Sequence, residues 1–408
     1  MMDENRNEPV GKVDELDVDR FYHGYAVEPI TPHCLEGTLL KGREGAIYFT
    51  FAAKGLNMKE SVDNGRTWGE PWHFVDRMGS RIKGSHLTVF RMQSGKLGLV
   101  YNDYENFPRG IPGRDNWSGI MFRESEDEGK TWSDPNLVYP LNGLCCSGHV
   151  ILLSDGRILA PGFRWISHDA TGESEGFSSP SFSYSFTCFS DDEGKSWQVS
   201  HSQLFISHYR FTCSLEEPTV VELGDGRLLM HLRSQVGRPY RSYSRDRGLT
   251  WSRPEPLPMA ASFTPSILKR MPTGEILMIW NQISRAEILK GFHRHRLSCA
   301  ISRDEGQTWE NFKNLESLND QSVIPPPPGD RLEIIEQWED NGLYFQPSNK
   351  ERYPRAPGVL RICYPDVLFV GEEAIVVYDY GYGTLGNNTS STKLRIIPVE
   401  WFRTRENE

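Results

Sequence analysis

Ser61-Val-Asp63-Asn-Gly65-Arg-Thr-Trp68 is the first of five octapeptides that share one pattern, Ser-x-Asp-x-Gly-x-(Thr/Ser)-Trp. The others are Ser125-Glu-Asp127-Glu-Gly129-Lys-Thr-Trp132, Ser190-Asp-Asp192-Glu-Gly194-Lys-Ser-Trp197, Ser244-Arg-Asp246-Arg-Gly248-Leu-Thr-Trp251 and Ser302-Arg-Asp304-Glu-Gly306-Gln-Thr-Trp309. Their spacing is roughly 55–65 residues, slightly longer than a usual propeller-blade repeat. The pattern describes a hairpin turn. The aspartate caps nearby backbone N–H groups and the glycine supplies a positive φ. The tryptophan is expected to pack the turn against its own blade.

Between these turns lies a second repeat, in which an apolar run, a glycine turn and another apolar run follow one another. Thr88-Val-Phe…Ser94-Gly95-Lys-Leu-Gly-Leu-Val100 and Thr219-Val-Val…Asp225-Gly226-Arg-Leu-Leu-Met230 are examples, and His149, Ser266, Gly37 and Val367 open comparable units. Each unit reads as a tight strand pair followed by a third strand that runs into the aspartate turn. Six units predict an all-β fold, a six-bladed β-propeller with four-stranded antiparallel blades. The sixth lacks an aspartate turn. Its outer strands are expected at Lys393–Val399 and, from the N-terminus, near Tyr22–Val27, which would close the ring. Residues 1–19 carry no apolar pattern and read as a disordered tail. The remainder, 20–408, reads as one propeller with an insertion at about 311–361. That insertion contains the Pro325–Pro328 run, read as a stiff loop, and a helical spacing at Arg331–Trp338.

Composition agrees. The chain has 408 residues, with 38% hydrophobic, 25% charged and 12% aromatic residues, and mean hydropathy is −0.53. The 37 glycines and 26 prolines leave little room for long helices. A net charge of −10 argues against nucleic-acid binding. No apolar run is long enough to span a membrane, and the acid-rich N-terminus lacks a signal-peptide core, so a cytoplasmic location is expected. Seven cysteines with no Cys-x-x-Cys pair argue against both a disulfide framework and a zinc ribbon. Adjacent Cys145 and Cys146 read as packing residues. His293 and His295 would share a strand face but lack a third ligand, so no metal site and no cofactor are expected.

The octapeptides resemble the Asp boxes of the sialidase superfamily, and they cover essentially the whole ring. In that family they lie at the periphery, so the resemblance gives them no catalytic part. Chemistry must come from the central pocket. Aligning the units on their turn glycines brings Glu36, His86, Ser147, Glu217, Pro265 and Tyr364 to the starts of the inner strands. Arg164, Arg233 and Asn281 fall at the ends of the second strands.

The segment Glu216-Glu217-Pro218…Met230-His-Leu-Arg233 looks like the sialidase fourth-blade motif. The resemblance implies that Glu217 assists a tyrosine nucleophile and that Arg233 binds a substrate carboxylate. Arg294, with Arg296 as the neighbouring alternative, matches another carboxylate-binding arginine. Tyr364, in Cys363-Tyr364-Pro365-Asp366, matches the nucleophile, and Tyr378-Asp379 resembles the family's Tyr-Glu pair. A neutral tyrosine with a glutamate beside it suits a sugar acid, whose own carboxylate would repel an anionic nucleophile. Arginines hold a carboxylate bidentately.

The sequence departs from the family in the first blade. Pro32-His33-Cys34-Leu35-Glu36-Gly37-Thr38 lacks the arginine found there, and Arg43 lies in the hairpin beyond. One lost charge-assisted contact costs about 1.5–3 kcal/mol. Lys83, His86 and Arg164 would then make a different anion site, or Glu36 would hold sugar hydroxyls. The family's acid/base aspartate has no motif match here, and Asp103 and Asp115 are the candidates. His86 and His149 otherwise read as hydrogen-bonded polar neighbours.

The expected activity is a sialidase-like exo-glycoside hydrolase acting on a terminal anionic sugar of a carbohydrate or glycoconjugate, with no nucleic-acid or membrane partner. The oligomeric state is left open. Two alternatives stand beside it. One is a glycosidase of other specificity that uses a Glu36/Glu217 carboxylate pair. The other is a non-catalytic carbohydrate-binding propeller.

Overall fold

In the computed structural model, the described residues are 26–32, 35–103, 117–142, 149–166, 182–207, 212–213, 215–234, 237–262, 264–283, 294–317, 361–384 and 387–404. They form six four-stranded antiparallel sheets set around an axis. From the inside outward, the first blade is Leu35–Lys41, Ile47–Ala52, Leu56–Ser61 and Trp72–His73. The second is Ser85–Arg91, Leu97–Asp103, Trp117–Ser125 and Asn136–Asn142. The third is Ile151–Leu152, Ile158–Ile166, Phe182–Ser190 and Gln198–Val199. The fourth is Leu215–Glu222, Leu228–Ser234, Tyr240–Ser244 and Glu255–Pro256. The fifth is Ile267–Arg270, Ile276–Trp280, Arg296–Ser302 and Glu310–Ser317.

The sixth blade, Arg361–Val370, Glu373–Thr384 and Asn387–Pro398, takes its outermost strand from the other end of the chain. Ala26–Pro32 pairs antiparallel with Asn387–Pro398 and closes the ring. That strand runs further than the sequence spacing suggested, to Pro32, and residues 22–25 lie outside the described residues. Glu310–Ser317 is also a correction: the start of the expected insertion is the fifth blade's outer strand. Residues 318–360, with the Pro325–Pro328 run and the helical spacing at 331–338, lie outside the described residues.

Strand composition explains the packing. Period-two alternation sends neighbouring side chains of one strand to opposite sheet faces. In this ring both faces are buried, so central strands read as nearly continuous apolar runs. Leu228, Met230 and Leu232 face the third blade, while Leu229 between them faces the fifth. Among the described residues six apolar clusters result, one between each pair of neighbouring blades.

All five Asp boxes join a third strand to the fourth, and each third strand ends on the box serine. In the box at 190–197 the Ser190 hydroxyl donates to Asp192 (2.8 Å) and accepts the Gly194 N–H (2.8 Å). Asp192 also accepts the Ser196 N–H (2.8 Å) and hydroxyl (2.6 Å). The same bonds recur in the other four boxes. Glu193 (φ 56°) and Gly194 (φ 85°) both take the left-handed conformation.

Each box glycine is seated on the preceding blade. A Cβ at Gly194 would stand 2.2 Å from the Phe122 ring, and those at Gly65, Gly129, Gly248 and Gly306 would meet Ile375, Met58, Leu159 and Leu229. The tryptophans, expected to pack on their own blades, in four boxes also reach the preceding blade. Trp132 lies against Phe74 (4.8 Å between centroids), Trp197 against Phe122 (5.6 Å) and Trp309 against His231 (5.5 Å). The Trp251 indole donates to Thr187 (3.0 Å). Trp68 alone meets its own blade edge-on, at Phe49 (6.0 Å). The reason is positional: a turn at the blade's outer edge lies over the facing side chains of the neighbour, where apolar area remains to be covered.

The sixth blade has no turn between its third and fourth strands, because opposite ends of the chain supply them. Its place against the fifth blade is taken by a short helix, Val399–Arg403. Phe402 and Trp401 join the cluster between the fifth and sixth blades. Lys313 donates to the Trp401 carbonyl (2.5 Å), Asn311 to that of Arg403 (2.7 Å), and Arg403 pairs with Glu275 (2.8 Å).

Candidate active site

The inner strands of four blades share an irregularity at the same place. Their pairing register shifts between Leu35 and Thr38, Ser85 and Thr88, Glu216 and Thr219, and Cys363 and Asp366. Such a bulge puts two residues opposite one and re-aims a side chain. The first bulged residues are Glu36, His86, Glu217 and Tyr364. Three of them are held at positive φ: His86 at 50°, Glu217 at 42° and Tyr364 at 51°. For bulky residues this conformation costs roughly 1–3 kcal/mol and is characteristic of functional sites. Pro218 and Pro365 follow two of them and lack the N–H that a bulge would leave without a ladder partner.

His86, Glu217 and Tyr364 line an axial pocket that opens to solvent. All six blades line it: Gly37 and Thr38 from the first, His86 to Thr88 from the second, and His149 from the strand start of the third. The fourth contributes Glu217 to Thr219, the fifth Pro265 and Ser266, and the sixth Tyr364 and Pro365.

The central contact links the fourth and sixth blades. The Tyr364 hydroxyl donates to Glu217 Oε1 at 3.0 Å. Glu217 Oε2 accepts from the Arg233 guanidinium, which projects from the end of the neighbouring strand. Arg233 stands opposite Glu216 in the ladder, with its Nε 3.9 Å from that carboxylate, and the Ser183 hydroxyl donates to Glu216 Oε1 (3.1 Å). Arg294 completes the group. Its guanidinium carbon lies 5.6 Å from the Tyr364 ring centroid, and one N–H reaches Cys363 Sγ at 3.3 Å.

Electrostatics follow from this geometry. Burial pushes the Glu217 carboxyl up. The Arg233 charge and hydrogen bond, then Arg294 and the Tyr364 hydroxyl, outweigh it, so Glu217 lies below the usual carboxylate range. Burial works against the Arg233 charge, but Glu217 and Glu216 outweigh it and raise its basicity further.

Beneath this layer lies a buried carboxylate that the sequence reading did not single out. Asp366 is 1% exposed, accepts the N–H groups of Leu39 (2.7 Å) and Val367 (2.9 Å), and pairs with Lys269 (3.2 Å). His149 faces it with Nε2 at 3.7 Å. The Thr219 hydroxyl, at the equivalent level of the fourth blade, accepts Leu268 N–H (3.2 Å) in the same way, so the axial ring is stitched from blade to blade. The sequence signal was present in Tyr364-Pro365-Asp366, but Asp366 meets Lys269 of the neighbouring fifth blade and His149 of the third blade only in the closed ring.

Other expected positions fall elsewhere. Lys83 is exposed and does not line the cavity. Arg164 stands opposite Tyr184 in the third blade, beside the Tyr139 hydroxyl, and is likewise outside the lining. Arg296 is 2% exposed at the start of its strand, whereas Arg294 is the arginine beside Tyr364. Asn281 is buried and binds the carbonyls of Arg296 and Ile362 (both 2.7 Å). Tyr378 is buried against Glu316 (2.5 Å), and Asp379 lies 3.7 Å from Cys363 Sγ. Asp103 is fully buried at the end of its strand. Ser147, Asp115, Cys145, Cys146 and His293 lie outside the described residues, and so does the Glu36 side chain. The strand expected to carry His295 begins one residue later, at Arg296.

Comparison with known proteins agrees with this architecture. The BNR repeat-like domain model matches residues 109–368. A sialidase of Micromonospora viridifaciens is 24% identical over 341 residues, covering 72% of this chain and 45% of that protein, so the chain spans less than half the length of that curated relative. Among solved structures, a protein of unknown function from Dyadobacter fermentans superposes with a TM-score of 0.57 at 16% identity, covering 90% of this chain and 95% of that one. The Trypanosoma rangeli sialidase gives 0.53 at 15% identity, covering 90% and 55%. With an Asp box closing five of its six blades and the family model spanning most of the ring, the chain belongs to the BNR repeat-like family and has the sialidase fold.

Proposed function

We propose that the protein is a sialidase-like exo-glycoside hydrolase that cleaves a terminal anionic sugar, sialic acid or a related sugar acid, from a carbohydrate or glycoconjugate. One observation carries this reading: a tyrosine hydroxyl is hydrogen-bonded to a glutamate that an arginine grips from its other side, at the centre of a propeller. Tyr364 attacks the anomeric carbon while Glu217 takes its proton. Arg233 and Arg294 hold the sugar carboxylate, one beside the glutamate and one over the tyrosine ring.

The Arg233–Glu217 pair gives this site a built-in order of events. In this structure the Arg233 charge and hydrogen bond keep Glu217 a weak base, against the opposing effect of burial. A substrate carboxylate competes for Arg233 and adds a like charge near Glu217. Both effects raise the basicity of Glu217 when the tyrosine must lose its proton. The distant sialidase relative supports the reading.

The test is fluorophore release from an umbelliferyl α-sialoside. Turnover is expected in the unaltered protein and a loss on the order of 10²–10⁴-fold in Glu217→Gln, with Tyr364→Phe also inactive and both variants melting like the parent. Full activity in both variants would sink the assignment. Sialoside binding without turnover by folded protein would instead establish a carbohydrate-binding propeller.

A further inference from the structure

We propose that His86 is the catalytic proton donor of this site: its imidazolium protonates the departing glycosidic oxygen and its neutral form then activates the water. The proposal rests on the glycosidase reading above and assigns the step for which the sequence offers no motif-supported aspartate.

The argument begins with the backbone. Among the described residues, the non-glycine residues at positive φ fall in hairpin and Asp-box turns, at Asn311 in the outer strand Glu310–Ser317, or on the inner strands. The inner-strand set is His86, Glu217 and Tyr364. Each opens a bulge at the same register of its blade, and each lines the cavity. His86, the second residue of the strand Ser85–Arg91, takes φ 50° at the bulge, as Glu217 and Tyr364 do at theirs. The strain is explained if His86 is held, like the other two, with its side chain at the reacting layer.

Chemistry then narrows the choice. The titratable side chains among the described lining residues are His86, His149, Glu217 and Tyr364. Glu217 and Tyr364 are committed to each other. His149 belongs to the layer below. It stands as far before the hairpin bond at Leu153 as Thr88 before Met92 and Thr219 before Leu223, and it faces the buried Asp366. Among the described lining residues, His86 is the group left at the level of the nucleophile. An imidazole titrates near neutrality, so it can both give and take the proton. As a cation before bond cleavage, it also complements an anionic sugar in a site that lacks the first-blade arginine.

The step balances. The glycosidic C–O bond breaks and its oxygen takes the proton of the His86 imidazolium, so the aglycone leaves as an alcohol. The Tyr364 oxygen bonds to the anomeric carbon, and the phenolic proton passes to Glu217. In the second half a water oxygen attacks the anomeric carbon and neutral His86 takes its proton. The Tyr364 oxygen departs and recovers its proton from Glu217.

The test compares two leaving groups on one sugar, using the full chain. The unaltered protein, Tyr364→Phe, His86→Asn, His86→Gln and His149→Asn are assayed on an umbelliferyl α-sialoside and on a methyl α-sialoside. Asparagine tolerates positive φ, so the backbone at position 86 is preserved, and thermal melts verify folding. An aryl leaving group needs little protonation, whereas an alkyl one depends on it. The expected result for both His86 variants is a kcat/KM lower by about 10²–10⁴-fold on the methyl sialoside and by less than about tenfold on the aryl one, with azide accelerating aryl turnover. Equal losses on both substrates, unchanged activity on both, or a selective loss confined to His149→Asn would overturn the assignment. No turnover of either sialoside by the unaltered protein would bring down the hydrolase reading itself, and His86 with it.

Discussion

Arg233 is held between two carboxylates, Glu216 and Glu217, and this pairing governs how single substitutions should behave. Arg233→Lys keeps the charge but loses the planar fork, so substrate binding should weaken by about 1.5–3 kcal/mol. Steady-state kinetics should record this as a KM increase of roughly ten- to a hundredfold with a smaller effect on kcat. An unchanged KM would remove Arg233 from carboxylate recognition. The central pair was legible through resemblance: Glu216-Glu217-Pro218 and Cys363-Tyr364-Pro365 match motif positions of the sialidase superfamily, and the bulges at both became visible only in the fold. Asp366, Lys269 and His149 were not legible as a group. They come from the sixth, fifth and third blades and meet only when the ring closes. Arg164 and Lys83 show the converse. Spacing along the chain put them near the pocket mouth, but neither lines the cavity.

The Asp box fastens one blade to the one before it. Gly194 sits directly over the Phe122 ring, so Gly194→Ala adds a clash to an unfavourable positive φ. It should destabilise by about 2–4 kcal/mol in denaturant unfolding. Gly226 has a similar φ of 82° but nothing within 4 Å of an added Cβ. Gly226→Ala should therefore cost only the conformational part, about 1–2 kcal/mol. Equal losses at the two positions would show that seating on the neighbouring blade contributes nothing. The turn itself was readable from serine, aspartate and glycine, because those bonds are local. The seat of its tryptophan was not, because the surface that receives it belongs to the preceding blade, Trp197 on Phe122 for instance.

Across the whole molecule the five box aspartates make the fold sensitive to acid. The Thr67 hydroxyl and N–H hold Asp63 down to about 2. Asp192 is lowered chiefly by the Ser196 hydroxyl. At Asp127, Asp246 and Asp304 burial acts upward but is outweighed by the bonds from Thr131, Thr250 and Thr308. A carboxylate with a depressed folded-state pKa stabilises fully above its ordinary value, near 3.8, and loses that stabilisation as pH falls through the folded value. Circular-dichroism melts should therefore fall steeply between about pH 4 and 2. Asp63→Asn should flatten that slope, and an unchanged slope would exclude the box as its source. Blade number and order were legible because the repeats are regular. The missing sixth box goes with the ring closure expected from the sequence, since no turn joins Asn387–Pro398 to Ala26–Pro32. The same topology decides where the chain can be re-cut. Joining residue 404 to residue 26 by a flexible linker would span a gap that every other blade already bridges. New termini would then be tolerated in the first-to-second-strand hairpins, such as the one at Gly226, where an added Cβ meets open space. A cut inside an Asp box would instead detach two blades from each other, so a series of circular permutants should sort into folded and unfolded members according to that one distinction.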